Sequence, residues 1–105
     1  MRLYPGLQLS VTANQGERDA VVLAVLGNEA LIEYAMPRGS TALRVVDAET
    51  GTGRKRYSYA AVPLRWLRAM LEVGSDWEGK PQQAATWAPS ARARWREKTG
   101  KEWDE

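Results

Sequence analysis

The chain has 105 residues, enough for one small domain, carries a formal net charge of +2 and contains neither cysteine nor histidine. Disulfides, thiolate catalysis and cysteine zinc sites are therefore excluded, and the commonest general base and transition-metal ligand is missing. A net charge of +2 does not by itself predict attraction to nucleic acid, so only a local basic patch could provide it.

No secretion or membrane signal is visible in the sequence. The first residues lead into a turn-forming pair, Pro5 and Gly6, instead of the apolar segment of a signal peptide. The longest apolar run, residues 20–26, is far too short to span a bilayer. We therefore expect a soluble, cytoplasmic protein without a membrane partner.

The first part of the chain is predicted to be a β-meander. Apolar and polar residues alternate over residues 7–12, which predicts a strand with one buried face after a turn at Pro5 and Gly6. The apolar run of residues 20–26 predicts a central strand that is buried on both faces. Gly27 and Asn28 predict a tight turn into the next strand, because both tolerate positive φ.

Three further strands complete the predicted meander, separated by polar connections. They cover residues 30–34, 42–46 and 54–59. In the last of them, Tyr57 and Tyr59 are expected on one face and Arg56 on the other, because side chains alternate along a strand.

Pro63 marks a change of periodicity from strand to helix. Leucines then recur at spacings of i, i+3 and i+7, which predicts an amphipathic helix over residues 63–72. Its apolar stripe consists of Leu64, Trp66, Leu67, Met70 and Leu71. Its polar face consists of Arg65, Arg68 and Glu72.

Two parts of the chain differ in composition. Residues 1–74 are predicted to form a β-domain with its closing helix, and residues 75–105 form an extension rich in tryptophan and arginine. All five tryptophans lie within residues 66–105. Inside the extension, a second short helix is predicted over residues 90–98, ended by Gly100.

The strand pattern also resembles a known family. Pro5 and Gly6 lead into the first strand, residues 20–25 form a central strand, and residues 31–34 follow a tight turn. Over about residues 5–62 this order is similar to SH3-like small barrels of the Tudor or KOW type. The resemblance implies a mainly β, five-stranded SH3-like barrel or meander, and such barrels commonly bind nucleic acids or peptide segments.

A basic patch is the first candidate site. Residues 54–68 contain five positive charges and no negative one. The predicted nucleic-acid-binding residues are Arg54, Lys55, Arg56, Tyr57, Tyr59, Arg65 and Arg68. Arginine and lysine contact phosphates, and tyrosine can stack on exposed bases. We therefore predict a non-enzymatic DNA- or RNA-binding accessory protein; in the alternative interpretation, the tyrosines face the core and the charges are merely solvated.

The extension is the second candidate site, and it predicts a different function. Its candidate partner-binding residues are Trp87, Arg92, Arg94, Trp95 and Trp103. Tryptophan and arginine are enriched where protein interfaces are strongest, and three exposed indoles would favour aggregation. The alternative hypothesis is therefore an interaction module, by analogy with small phage or mobile-element proteins, that binds a partner protein or a second copy. The indoles could equally cover grooves on their own domain.

Catalytic chemistry has little support in the sequence. The carboxylates of the predicted sheet are expected at turns or on polar strand faces: Glu17, Asp19, Glu29, Glu33, Asp47 and Glu49. No pair of them is predicted to form an acid–base site. The terminal acidic residues Glu102, Asp104 and Glu105 are expected to be solvated instead of binding a metal. We therefore expect no enzymatic activity, no cofactor and no metal site.

Overall fold

The computed structural model describes residues 2–13, 16–36, 41–73 and 90–103. Within these residues, five strands are followed by a 3-10 turn at Tyr59–Ala61 and two helices. The strands are β1 (Gln8–Ala13), β2 (Gly16–Leu26), β3 (Glu29–Ala35), β4 (Thr41–Asp47) and β5 (Gly53–Tyr57). The helices are α1 (Leu64–Val73) and α2 (Ala91–Thr99).

The strands form one antiparallel sheet in the order β1-β2-β3-β4-β5, so the predicted meander is confirmed. The sheet is open, with β1 and β5 as its edges, and the closed barrel is not formed by the described residues. After β5 the chain turns into Tyr59–Ala61 and α1, and the helices pack on one face of the sheet. The sheet therefore buries that face by layering instead of closing on itself.

Some element boundaries differ from the sequence prediction. β2 begins at Gly16, before the predicted strand of residues 20–26, because Gly16 and Glu17 pair with Ala13 and Thr12. β5 ends at Tyr57, so Tyr59 lies in the 3-10 turn and not in a strand. The predicted turn at Gly27 is confirmed, with φ of 59° at that residue. Residues 37–40, between the predicted strands 30–34 and 42–46, and the predicted boundary at residues 74–75 lie outside the described residues.

One core lies between the sheet and the helices. Trp66, Leu67 and Met70 of α1 are fully buried there against β2, β3 and β4. The predicted polar face of α1 is confirmed as exposed. Leu64 was predicted to be part of the apolar stripe, but it is 44% exposed because it lies in the first turn, at the end of the helix.

The opposite face of the sheet has a second, smaller core. Ile32 and Val46 are buried there beside Leu3 of the amino-terminal segment. The backbone N–H of Leu3 donates to the carbonyl of Ala48 at 2.7 Å, which fixes this segment across the sheet. The segment covers only part of the face, and the uncovered part is the groove described below. No helix in the described part of the chain is long and apolar enough to cross a membrane.

Candidate functional site

A groove of about 490 Å³ lies on the sheet face opposite the helices. Its volume is in the range of small-molecule binding sites. Its apolar lining comes from three strands and the amino-terminal segment: Leu3, Leu9, Val11, Ile32, Tyr34 and Val46. Alternation along β3 places Ile32 and Tyr34 on this face, while Leu31 between them points into the helix-facing core.

Arg44 lines this groove beside Tyr34. Its guanidinium carbon lies 5.5 Å from the centre of the Tyr34 ring, a cation–π arrangement. Tyr34 itself is 4% exposed, so the ring gives the guanidinium a fixed support. Among the described residues, no carboxylate forms an ion pair with Arg44.

Arg56 is the cross-strand neighbour of Arg44. The two residues are register partners on β4 and β5, so their side chains leave the sheet on the same face. Arg56 is exposed, and within the described ranges it too has no carboxylate partner. Like charges placed directly opposite each other are destabilising, so this position favours a bound anion.

A smaller depression of about 190 Å³ adjoins the groove and contains the basic residues of β5. It is lined by Arg44, Gly53, Arg54, Lys55 and Arg56. Arg44 and Gly53 line both spaces, so the apolar groove and the basic depression are contiguous. A Cβ atom at Gly53 would lie 3.2 Å from Cδ and Nη1 of Arg44, so the missing side chain leaves room for the guanidinium.

Arg54 belongs to the predicted patch, but its charge is used within the fold. Its Nη2 lies 2.6 Å from Oδ2 of Asp47, and its Nη1 lies 3.7 Å from Oε2 of Glu29. The pKa of Asp47 is well below its ordinary value because its carboxylate accepts backbone hydrogen bonds from Thr50 and Glu49 and lies beside Arg54. Arg54 therefore holds the turn between β4 and β5.

The two tyrosines of the predicted patch face the helix-facing core. Tyr57 and Tyr59 are both half-buried against that core, and the Nζ of Lys55 lies 5.3 Å from the centre of the Tyr57 ring. The phenol of Tyr59 donates to Oε2 of Glu33 at 2.6 Å. Neither tyrosine ring lies on the groove face with Arg44. The two rings and Arg44 therefore do not form one surface on which bases could stack.

Glu33 corrects one sequence expectation. It was placed on a polar strand face, but it is 0% exposed and lies on the helix-facing side of β3. Its Oε2 accepts hydrogen bonds from Tyr59 and, at 3.0 Å, from Oγ1 of Thr41, and the two hydroxyls also contact each other. The sequence did contain the signal: Glu33 is two residues from Leu31, and side chains two apart share a face.

The remaining patch residues lie on α1. Arg65 and Arg68 are exposed on the helix layer, apart from the groove face of the sheet. The guanidinium carbon of Arg68 lies 5.6 Å from the centre of the Trp95 ring of α2. The residues of the predicted patch therefore lie on different faces of the molecule. Arg44 lies beside Arg56 on the groove face, and the sequence analysis did not identify it. The sequence did contain a signal for it. Arg44 is the one charged residue in the predicted strand 42–46, and alternation along that strand places it on the face opposite Leu43.

The carboxy-terminal helix packs back on its own domain. Trp95 and Trp103 form an edge-to-face pair with ring centres 5.0 Å apart, and both are half-buried against the helix-facing core. The Nζ of Lys98 donates to the carbonyl of Ala60 at 2.6 Å. Arg94 pairs with the neighbouring Glu97 at 3.8 Å.

The other predicted partner-binding residues give less information. Arg92 is half-buried on α2, and Trp87 lies outside the described residues. A depression of about 310 Å³ remains beside the indole pair. It is lined by Arg68, Glu72, Trp95, Lys101, Glu102 and Trp103. The described indoles are therefore mostly covered by the chain itself, with an open rim at this depression.

No group of three or more carboxylates in the described ranges is arranged to hold a metal ion. The structure therefore presents an apolar groove with a pair of guanidinium groups at its border. Comparison with protein-family models, with curated proteins and with solved structures found no match to this chain.

Proposed function

We propose that this is a non-enzymatic nucleic-acid-binding accessory protein whose phosphate contacts are centred on Arg44 and Arg56. The observation that carries the proposal is their placement as cross-strand neighbours on one face, without a carboxylate partner among the described residues. Arginine side chains bind phosphate oxygens through paired hydrogen bonds, which a single lysine ammonium cannot match. Two adjacent guanidiniums suit the repeating charge of a nucleic-acid backbone.

Protection of an exposed strand edge is the simplest competing explanation for the basic residues of β5. Charged side chains on an edge strand prevent pairing with other chains, and β5 is an edge. That explanation covers Arg56, but it does not cover Arg44. Arg44 lies on β4, which pairs with strands on both sides and has no edge to protect.

Ion pairs elsewhere on the surface support the same position for the phosphate contacts. Arg54 pairs with Asp47, and Arg96 pairs with Glu102 at 2.7 Å. Such exposed pairs add little to stability, but they cancel charge locally. With a net charge of only +2, attraction to a polyanion must come from cations that are not neutralised by neighbours. Arg44 and Arg56 meet that condition on the groove face.

Fluorescence anisotropy with a labelled oligonucleotide tests the proposal. We expect binding at low salt that weakens as salt rises, because phosphate contacts release counterions. Arg44→Ala and Arg56→Ala should each weaken binding about tenfold, since a hydrogen-bonded charge contributes about 1.5–3 kcal/mol. Arg96→Ala is the matched control: it also removes one arginine, but one on α2 that is paired with Glu102.

Two results would contradict the proposal. One is the absence of binding by the intact protein at low salt. The other is an equal effect of Arg96→Ala and of the substitutions at Arg44 and Arg56, because the site would then have no specific location.

A second candidate function is protein interaction through the carboxy-terminal arm. The depression of about 310 Å³ beside Trp95 and Trp103 favours it, because partly covered tryptophans are common at interface hot spots. Light scattering tests whether a second copy is the partner. If the partner is a second copy, the intact protein should have the mass of a dimer, and Lys101→Glu, at the rim of the depression, should lower that mass. A monomeric intact protein would contradict self-association.

A further inference from the structure

The groove and the arginine pair form one continuous surface. Arg44 and Gly53 line both the apolar groove and the basic depression. An anion held by Arg44 and Arg56 therefore has the groove directly beside it. A ligand that fills both spaces must carry a phosphate-like charge next to a largely apolar group.

We propose that the groove takes an unpaired nucleobase of a single-stranded nucleic acid, whose adjoining phosphate lies on Arg44 and Arg56. This inference rests on the proposed function and adds the kind of nucleic acid and the place of one base. The argument depends on the lining of the groove, on the edge strand beside it and on the support under Arg44.

The lining fits a flat ring with apolar faces. Ile32 and Val46 are buried side chains at the groove, and Leu9 and Val11 contribute half-buried side chains from β1. Binding pockets combine such apolar walls with a few polar groups that fix the orientation of the ligand. The polar members of the lining include Arg44, the hydroxyl of Thr50 and the carboxylate of Glu49, which is paired with Arg2 at 3.5 Å.

The edge of β1 can supply hydrogen bonds to the rim of a base. Four consecutive residues of β1, from Leu9 to Thr12, line the groove. Side chains on a strand alternate between faces, so lining by consecutive residues indicates that the backbone edge of β1 borders the groove. β1 pairs only with β2 among the described strands, and its outer N–H and C=O groups are therefore available to a ligand.

Arg44 favours a base over other apolar groups. Its guanidinium is held beside the Tyr34 ring, which leaves it able to stack on a ring entering the groove. Guanidinium planes and aromatic rings are the surfaces on which single-stranded bases stack in proteins. In a duplex the base would first have to leave its pair and its stack, which is unfavourable. We therefore expect the groove to select single strands.

Three probes of equal length test the inference with the intact protein. They are a single-stranded oligothymidylate, the same chain with abasic sites, which keeps the number of phosphates, and a duplex, which doubles it. We expect the abasic chain to bind about tenfold more weakly than the oligothymidylate, since loss of one stacked base commonly has that effect. The duplex should also bind more weakly.

Groove-filling variants show whether the base enters this groove. Val11→Trp should reduce the preference for oligothymidylate over the abasic chain without changing the affinity for the abasic chain. Leu9→Trp is a second variant on the same wall, from a side chain on the groove face, for use if the first does not fold. Circular dichroism identifies the folded variants.

The outcomes separate this inference from the proposed function. Equal affinity for the base-containing and abasic chains would contradict the binding of a base in the groove, but it would not contradict phosphate binding by the arginine pair. Absence of binding to all three probes at low salt would overturn both. Competition by an acidic, leucine-containing peptide as effective as the oligothymidylate would assign the groove to a protein ligand and overturn the inference.

Discussion

Arg44 and Arg56 lie opposite each other on β4 and β5, and both side chains leave the sheet on the groove face. Their repulsion predicts opposite effects of one substitution on stability and on binding. Arg56→Glu would place a carboxylate opposite Arg44 and should stabilise the fold by about 0.2–1 kcal/mol, the usual range for cross-strand ion pairs. The same change should reduce nucleic-acid affinity more than Arg56→Gln does.

Urea unfolding and anisotropy measured on the same variants check this trade-off. Arg56→Gln is the control because it removes the positive charge without adding a negative one. If Arg56→Glu unfolds at lower urea than Arg56→Gln, the two side chains do not interact across the strands as the register requires.

Gly53 is expected to control the position of Arg44. A Cβ atom there would lie 3.2 Å from two atoms of the Arg44 side chain, which would have to move. Gly53→Ala should therefore weaken binding although no charge is lost. Its effect on the free energy of unfolding should stay within about 0.5 kcal/mol, because the displaced group is the end of a flexible side chain.

Gly27→Ala is the matched control for Gly53→Ala. Gly27 has a φ of 59° and open space where a Cβ would be, and it lines neither the groove nor the basic depression, so alanine there strains the turn without touching Arg44. It should lower stability by about 1 kcal/mol and leave affinity unchanged. Weaker binding by Gly27→Ala but not by Gly53→Ala would show that Gly53 does not determine the position of Arg44.

Asp47 predicts acid sensitivity of the turn between β4 and β5. Its pKa in the folded protein is held below the ordinary value, first by the backbone N–H groups of Thr50 and Glu49 and then by Arg54. The stabilisation is therefore complete above about pH 4, the ordinary aspartate value, and is lost as pH falls toward the lower folded-state pKa. Asp47→Asn removes the charge and should remove this dependence.

Thermal unfolding of the protein and of Asp47→Asn at about pH 7 and about pH 2 checks the prediction. The variant should be less stable than the intact protein at the higher pH, and the difference should shrink at the lower pH. Glu97→Gln on α2 is the control for general charge effects. A difference between the proteins that does not change with pH would contradict the role given to Asp47.

The Glu33 network predicts different effects for two tyrosines that the sequence placed together. Tyr59→Phe removes a donor from a fully buried carboxylate and should lower the free energy of unfolding by about 1.5–3 kcal/mol. Tyr57→Phe removes a hydroxyl that donates no hydrogen bond within the described residues, so it should change stability by less than about 0.5 kcal/mol. Chemical denaturation measures both.

Binding by the same two variants checks the interpretation of the site. Both rings face the helix-facing core, so neither substitution should weaken binding of a nucleic acid on the groove face. Weaker binding by folded Tyr57→Phe would instead favour the sequence prediction, in which the tyrosines are stacking surfaces.

The parts of the fold that could be predicted are those that depend on local patterns. Alternation in residues 7–12 and the apolar run of residues 20–26 correspond to β1 and to the buried part of β2. The change of period after Pro63 corresponds to α1. These patterns depend on neighbours a few residues apart, so they can be read without knowledge of the tertiary structure.

The features that escaped prediction depend on contacts between distant residues. Arg44 and Arg56 become neighbours only through the register of β4 with β5, which the polar connection between them does not specify. Arg68 meets Trp95 only after α2 docks on α1. The open sheet also depends on where the helices pack after β5, and strand order alone allows either a closed or an open arrangement.

The salt dependence of binding tests most directly whether Arg44 and Arg56 contact phosphates. The measurement is the slope of log affinity against log salt for the intact protein and for the double variant Arg44→Gln with Arg56→Gln, on one single-stranded oligonucleotide. Each lost phosphate contact should reduce the steepness of the slope by about 0.7, so the double variant should lose about 1.4. An unchanged slope, or no measurable affinity of the intact protein at low salt, would contradict the proposed function.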